Sequence, residues 1–308
     1  MAFARRPRFS WQLRTRSLAL GERTLVMGIL NVTPDSFSED GAYLLATAAV
    51  EHGVSLLDQG ADLIDIGGES TRPGSQPISA QEEKDRVLPV IEAILLQRPK
   101  SVLSIDTYKG ETARTAIAAG AEIINDISGL QWDPEMARTC AASGCGVVLM
   151  HTRGRPPEWR TQPHLAREEV VPLVKSGLAL SLDQALAAGI GRSRIVLDPG
   201  YGFGKAFDNN YSLLARQEEL LALGQPILAG VSRKSFLGRT LARTISPAIN
   251  SPATNSDFPP DLPPHARANA TLAAATAAIL AGASIIRVHD VRPALEAART
   301  TDAILRLQ

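Results

Sequence analysis

The feature that most constrains this chain is a rhythm. Eight short runs dense in Ile, Val and Leu recur along it, at residues 24–32, 61–67, 101–107, 122–127, 146–151, 194–200, 226–232 and 284–290. Amphipathic stretches lie between them, at 42–59, 80–97, 111–119, 134–143, 165–188 and 209–223. Near-continuous apolar strands are expected where a parallel sheet is covered on both faces. Strand and helix alternate with no shift of composition, which predicts an α/β fold, a closed (β/α)8 TIM barrel of about 250 residues in one domain. The remainder is assigned to an N-terminal extension over 1–23, with the barrel over 24–308. An open dinucleotide-binding sheet is the alternative. Two observations oppose it: no Gly-x-Gly-x-x-Gly follows the first run, and polar residues close nearly every run rather than clustering at one switch point.

Composition narrows the function classes. The 308 residues hold 32 basic and 32 acidic side chains, so the formal charge is zero. That speaks against a protein whose main task is to hold nucleic acid or an anionic membrane. Only two cysteines occur, Cys140 and Cys145, outside any metal or disulfide spacing, which suits a reducing compartment such as the cytoplasm. No apolar run reaches membrane length in this reading; the nearest, 272–286, is mostly alanine and is broken by Thr276, Gly282 and Ser284. Arg5, Arg6, Arg8, Arg14 and Arg16, with no acid among them, fit an organelle transit peptide, but 9–13 and 17–20 read as short strands flanking a turn. Prolines at 247, 252, 259, 260, 263 and 264 mark 246–264 as a flexible surface insertion in the seventh unit.

Chemistry collects at the strand ends, where barrels build their active sites. Any one of these polar residues reads as a helix cap. Together they are complementary. Asp106 and Asp198 are carboxylates near the lumen that need donor pairs, which the guanidine-like edge of a heterocycle supplies. Asn125 offers a donor and an acceptor to an amide-bearing ring, and Lys234 offers a cation. Arg287 and His289 are two apart on the last strand and point the same way, as a phosphate site requires. Arg287 has a plainer alternative, a salt bridge to Asp290 or Glu296. Asn31 is a neutral oxygen ligand for a Mg²⁺ that bridges phosphate oxygens. Tyr201-Gly-Phe-Gly-Lys205 fails as a P-loop, since Pro199 stands at the first glycine position and Ala206 follows the lysine. Its glycines instead turn the loop tightly beside a ligand, with Phe203 lying on the ring.

At these residues the chain resembles the dihydropteroate synthase family of pterin-binding barrels, the target of sulfonamides. Met27-Gly-Ile-Leu-Asn-Val-Thr-Pro-Asp-Ser-Phe-Ser38 is similar to the family's first-loop signature, and Asp65-Ile-Gly-Gly-Glu-Ser-Thr-Arg-Pro-Gly74 to its second. Ser104-Ile-Asp-Thr107, Ile124-Asn-Asp-Ile127, Leu197-Asp-Pro-Gly200, Gly230-Val-Ser-Arg-Lys-Ser235 and Ile286-Arg-Val-His-Asp-Val291 follow in family order. The resemblance implies condensation of 6-hydroxymethyl-7,8-dihydropterin pyrophosphate with p-aminobenzoate, giving 7,8-dihydropteroate and pyrophosphate. By the same resemblance Asp106, Asn125, Asp198 and Lys234 hold the pterin, with Met150 and Phe203 packed on it. Asn31, with Mg²⁺, Arg287 and His289 take the pyrophosphate, and Thr71, Arg72, Pro73, Phe37 and Ser235 border p-aminobenzoate. Asp35 is the candidate to stabilise a cationic methylene carbon and orient the amine. The implied state is a homodimer with small-molecule substrates only. Three departures stand out: Ser38-Glu-Asp-Gly41 at the tip of the first loop, Ala270 where the family carries glycine, and the proline-rich insertion. Two other readings are a methyltetrahydrofolate-dependent methyltransferase barrel and a non-catalytic pterin-binding protein; neither accounts for both the first-loop signature and the anion pair.

Overall fold

The computed structural model describes residues 3, 6–33, 41–70, 75–159, 161–245 and 262–307. Its chain order is β1 (Phe9–Gln12), β2 (Ser17–Leu20), β3 (Leu25–Asn31), α1 (Gly41–Asp58), β4 (Leu63–Gly67), α2 (Ala80–Gln97), β5 (Leu103–Asp106), α3 (Gly110–Ala118), β6 (Ile123–Asp126) and α4 (Met136–Ser143). It continues with β7 (Gly146–Met150), α5 (Val170–Ala187), β8 (Ile195–Asp198), α6 (Phe207–Ala215), β9 (Leu228–Ala229), α7 (Ser235–Ile245), α8 (Ala268–Leu280), β10 (Ile285–Val288) and α9 (Val291–Arg306). Eight strands form one parallel sheet in the order β8-β7-β6-β5-β4-β3-β10-β9. A parallel bridge from Leu197 to Ile227 joins the two ends and closes the barrel.

Alternation along each strand divides the residues between two environments. Outward side chains such as Val26, Leu30, Ile64, Ile66, Ile105, Leu149 and Ile286 pack beneath the helices in the larger core. Inward side chains stack in layers. The lowest layer is apolar: Leu25, Met27, Leu63, Ile123, Val148, Val196, Leu228 and Ile285. Two residues further along the same strands stand Ile29, Asp65, Asn125, Met150, Asp198, Gly230 and Arg287, so the lumen turns polar within one step.

The β1–β2 hairpin plugs the lower end. Trp11, Leu13 and Leu20 join the apolar layer, and Trp11 Nε1 donates to the Arg194 carbonyl at 2.8 Å. Gly146 makes room for the plug, since a Cβ there would lie 2.6 Å from Leu13 Cδ2. Three of the arginines that suggested a transit peptide anchor this plug. Arg6 pairs with Asp302 at 2.5 Å, Arg14 donates to the Ile117 carbonyl at 2.8 Å, and Arg16 pairs with Glu122 at 3.3 Å.

Two expectations need correction. The seventh barrel strand was expected over 226–232, yet its ladder is only Leu228–Ala229. Pro226 has no N–H to give a ladder, and from Gly230 the chain already serves the site. The expectation that no run reaches membrane length also fails: α5 spans 18 residues at mean hydropathy 1.2, which meets the length and composition of a spanning helix. Its Val170, Val171, Val174, Leu178, Leu182 and Ala185 are buried in the outer core. The proline-rich insertion lies outside the described residues except at 262–264, where a short 3-10 turn, Pro264–Arg267, begins.

Candidate active site

The upper mouth of the barrel holds a cavity of about 180 Å³. Asn31, Asp106, Asn125, Met150, Asp198, Phe203, Lys234, Arg287 and His289 line it, together with Thr33, Glu69, Tyr201, Gly230 and Ser232. Strand register accounts for the convergence: Asp106 stands beside Gly67 and Asn125, and Asp198 beside Met150.

At its centre is an ion-pair network. Arg287 Nε donates to Asp65 Oδ2 at 2.5 Å, and its Nη2 donates to Asp106. Asn125 Nδ2 donates to the same Asp65 oxygen at 2.9 Å. This corrects the plainer reading of Arg287, since Asp290 pairs with Arg233 at 2.6 Å and Glu296 with Arg292 at 2.8 Å. It also changes the role of Asp106, whose donor comes from the protein. Asp198 is the carboxylate left for a ligand. Its Oδ1 accepts from the Gly200 N–H at 2.7 Å, and Gly230 keeps space beside Oδ2, 3.5 Å from where a Cβ would stand.

Lys234 follows Arg233, a non-glycine residue with φ of +54°. That left-handed turn is held from three sides. The Arg233 N–H donates to Thr271 Oγ1 at 2.9 Å, its carbonyl accepts from Arg267 Nη1 at 2.7 Å, and its guanidinium grips Asp290. The turn carries Lys234 Nζ over the Phe203 ring, 4.0 Å from its centroid, a cation–π contact that sets both groups on one wall. His289 Nδ1 lies 3.0 Å from Ser232 Oγ.

Ser235 is the exception among the described candidates. It is the first residue of α7, is exposed, and does not line the cavity. Asp35, Phe37, Thr71, Arg72 and Pro73 lie outside the described residues. Sequence reasoning passed over Asp65, although the second-loop motif begins on it; an acid two residues before a strand end gives no sign that it faces the lumen until strand boundaries are known.

Among the described residues no cluster of three or more His, Cys, Asp or Glu is placed to hold a metal ion. Asn31 and Thr33, both on the rim, offer hard neutral oxygens. A donor set of that kind fits Mg²⁺ only when ligand phosphates and water complete its shell.

Residues 27–289 match the family described as pterin binding enzyme. The dihydropteroate synthase of Bacillus subtilis (strain 168) is 42% identical over 289 residues, covering 94% of this chain and 91% of the relative. The chain belongs to the dihydropteroate synthase family. Two solved dihydropteroate synthases agree in fold. That of Yersinia pestis, in a sulfonamide drug complex, superposes with a TM-score of 0.84 at 40% identity, covering 97% of this chain and 100% of the other. That of Xanthomonas albilineans, with 4-aminobenzoic acid, gives 0.83 at 40% identity, covering 96% and 98%.

The electrostatics of the site follow from burial. Burial pushes the Asp198 carboxyl up, with the Gly200 N–H and Lys234 pulling it back. It pushes the Lys234 amine down to about 8, Arg287 adding to the push while Asp198 and Asp106 oppose it. Burial also works against the Arg287 charge, but Asp65 and Asp106 outweigh it and hold the guanidinium above its ordinary range.

Proposed function

We infer that this enzyme condenses 6-hydroxymethyl-7,8-dihydropterin pyrophosphate with p-aminobenzoate, releasing 7,8-dihydropteroate and pyrophosphate. The observation that carries the reading is the wall formed by Asp198, Asn125, Lys234 and Phe203 in a narrow, closed-floored cavity. A carboxylate with a free edge, an amide and an ammonium match the donor and acceptor edges of a pterin, and Phe203 with Met150 supplies the apolar faces.

Arg287 on β10 shares the lumen layer of Asp198, and His289 follows the end of that strand, on the mouth side where the diphosphate tail of a ring bound at Asp198 would emerge. Two of the Arg287 nitrogens are committed to carboxylates, so Nη1 is the edge it turns to the tail. Asn31 is the residue that would hold Mg²⁺ there, and the ion supplies neutralisation of diphosphate charge when bound. The methylene C–O bond breaks with its electron pair going to the diphosphate. The carbon left behind is cationic, and the pterin ring delocalises that charge. The arylamine nitrogen then bonds to the carbon and loses its proton. Arg287 and His289 act by stabilising the leaving group, and Asp35 is assigned to the cationic carbon. Thr71, Arg72, Pro73, Phe37 and Ser235 are assigned to p-aminobenzoate by the family resemblance. By the family resemblance the working form is a cytoplasmic homodimer, which sedimentation and cell fractionation test.

The deciding assay mixes the two substrates with Mg²⁺ and follows pyrophosphate and 7,8-dihydropteroate together. Equal amounts of both are expected. Turnover of methyltetrahydrofolate with no pyrophosphate would replace the reading with a methyltransferase, and binding of pterin without turnover would replace it with a silent pterin-binding barrel.

A further inference from the structure

The Gly200-Tyr-Gly-Phe-Gly-Lys205 segment looks like a phosphate loop and is built with the opposite polarity. Gly200, Gly202 and Gly204 have φ of +68°, +85° and +67°. Gly200 cannot be replaced without moving backbone, since a Cβ would sit 1.9 Å from the His151 carbonyl oxygen. Alternate left-handed residues curl the loop so that carbonyls, not N–H groups, point inward. Into that curl comes the chain's own ammonium. Lys205 Nζ donates to the Gly200 carbonyl at 2.7 Å, the His151 carbonyl at 3.2 Å and the Phe203 carbonyl at 3.3 Å. An ammonium has three N–H donors and all three are matched; a neutral amine has two. Lys205 is 7% exposed.

The three carbonyls belong to the places that carry the pterin wall. His151 follows Met150, and its N–H donates to the Asp198 carbonyl at 2.9 Å. Gly200 supplies the N–H that fixes the Asp198 carboxylate. Phe203 bears the ring that meets Lys234 on one side and Trp159, at a 5.0 Å centroid distance and 86°, on the other. Asn210 braces the loop from outside, accepting from the Gly202 N–H at 2.7 Å and donating to the Ala206 carbonyl at 2.8 Å. Burial pushes the Lys205 amine down to about 7, with Lys234 and Arg153 adding to the push and Asp198 opposing it. The three accepting carbonyls favour the charged form.

We propose that Lys205 is a positioning residue for the pterin subsite: its buried ammonium ties the ends of β7 and β8 to the loop between β8 and α6, and so sets Met150, Asp198 and Phe203 in register. This rests on the reading of the cavity as a pterin site. Lys205 does not line the cavity and acts only through the backbone it gathers.

Lys205→Met keeps the stem and removes the charge. Calorimetry with the pterin diphosphate should show at least a tenfold loss of affinity, while KM for p-aminobenzoate at saturating pterin diphosphate stays within twofold. The near-UV circular dichroism of Trp159, isolated by subtraction with Trp159→Phe, should change. In Lys205→Ala, added propylammonium should restore pterin affinity and propanol at the same concentration should not. Pterin affinity within twofold of wild type in Lys205→Met, or equal rescue by propanol, overturns the proposal. If the wild-type enzyme itself binds no pterin diphosphate, the functional reading falls, and the clamp is then judged by the Trp159 signal: altered upholds it, unaltered overturns it.

Discussion

Replacing Arg287 with Met tests the ion-pair network and the anion site in one experiment. Met retains most of the apolar stem and removes the guanidinium that bridges Asp65, fully buried, to Asp106. Asp65 Oδ1 is buried with no hydrogen-bond partner among the described residues, so that carboxylate keeps only the Asn125 amide, a neutral donor, when its cation goes. Removing one member of a buried pair costs about 3–5 kcal/mol, because the remaining charge is stranded. Unfolding entropy near 2.1 cal/mol/K per residue gives roughly 0.65 kcal/mol/K for a chain of this length, so the loss corresponds to a fall in Tm of about 5–8 °C.

The effect must depend on pH, and its sign is fixed. Burial already raises the Asp106 carboxyl above 3.8, and Arg287 is the chief opposing influence. Without Arg287 it rises further. A folded-state value above the unfolded one means that the folded protein prefers the neutral acid. Stability is then complete below the unfolded value and is lost as pH climbs through the folded one. The Tm gap between Arg287→Met and wild type should therefore be small near pH 4.5 and widen as pH climbs past about 7, where the wild-type Asp106 carboxyl titrates, read by differential scanning fluorimetry at constant ionic strength. Titration calorimetry on the same samples should show the pterin diphosphate losing far more affinity than the free pterin. A gap that stays level across the range would mean that the two carboxylates do not depend on Arg287. Equal losses for both ligands would move the anion site elsewhere.

Trp11→Ala opens the plug beneath the lumen and should lower stability by about 3–5 kcal/mol, as large-to-small core changes do, while kcat and both KM values at 25 °C stay within twofold. A tenfold fall in kcat at a temperature where the variant is folded would show that the apolar layer and the polar layer are not independent. For Lys234, kcat/KM for the pterin diphosphate should decline on the basic side with an inflection near 8, as the amine loses its proton. Lys234→Arg should carry that inflection beyond pH 10, and an unmoved inflection would assign it to another group.

The fold was legible because a barrel repeats one signal eight times. Even a run as ambiguous as 122–127 takes its meaning from its neighbours. β9 was overextended because Pro226 and Gly230, which end the ladder, sit inside an apolar run that reads as strand throughout. Nine of the ten predicted site residues that fall among the described residues line the cavity, since a polar residue at a strand end is visible in sequence and the closed sheet brings all such ends to one mouth. Ser235 does not line the cavity, because one residue past Lys234 the chain is already helix and exposed. Pairings were not legible. Arg287 reaches Asp65 across 222 positions and Asp106 across 181, and no local spacing encodes that choice over the nearer Asp290. Lys205 was seen only as a failed phosphate motif because its partners are backbone carbonyls, which every residue has.

Those pairings bear on the metal. The chain's zero net charge is mirrored at the site, where Asp65, Asp106 and Asp198 stand against Arg287, Lys234 and Lys205. Glu69 and Glu83, sharing Lys109, add one further negative charge near the rim. Among the described residues an arriving diphosphate therefore meets no standing excess of positive charge, since the Arg287 charge is balanced by Asp65 and Asp106 even where its Nη1 donates to the ligand. The free pterin needs no such compensation, as its ring is met by Asp198 and Asn125. If a divalent cation entering with the substrate makes up the deficit at Asn31, then EDTA should weaken the pterin diphosphate by one to two orders of magnitude in calorimetry and leave the free pterin unchanged. Asn31→Ala should reproduce the EDTA effect with Mg²⁺ present, and adding EDTA to that variant should then do little more. Undiminished diphosphate affinity in EDTA would show that Arg287 and His289 suffice without a metal ion.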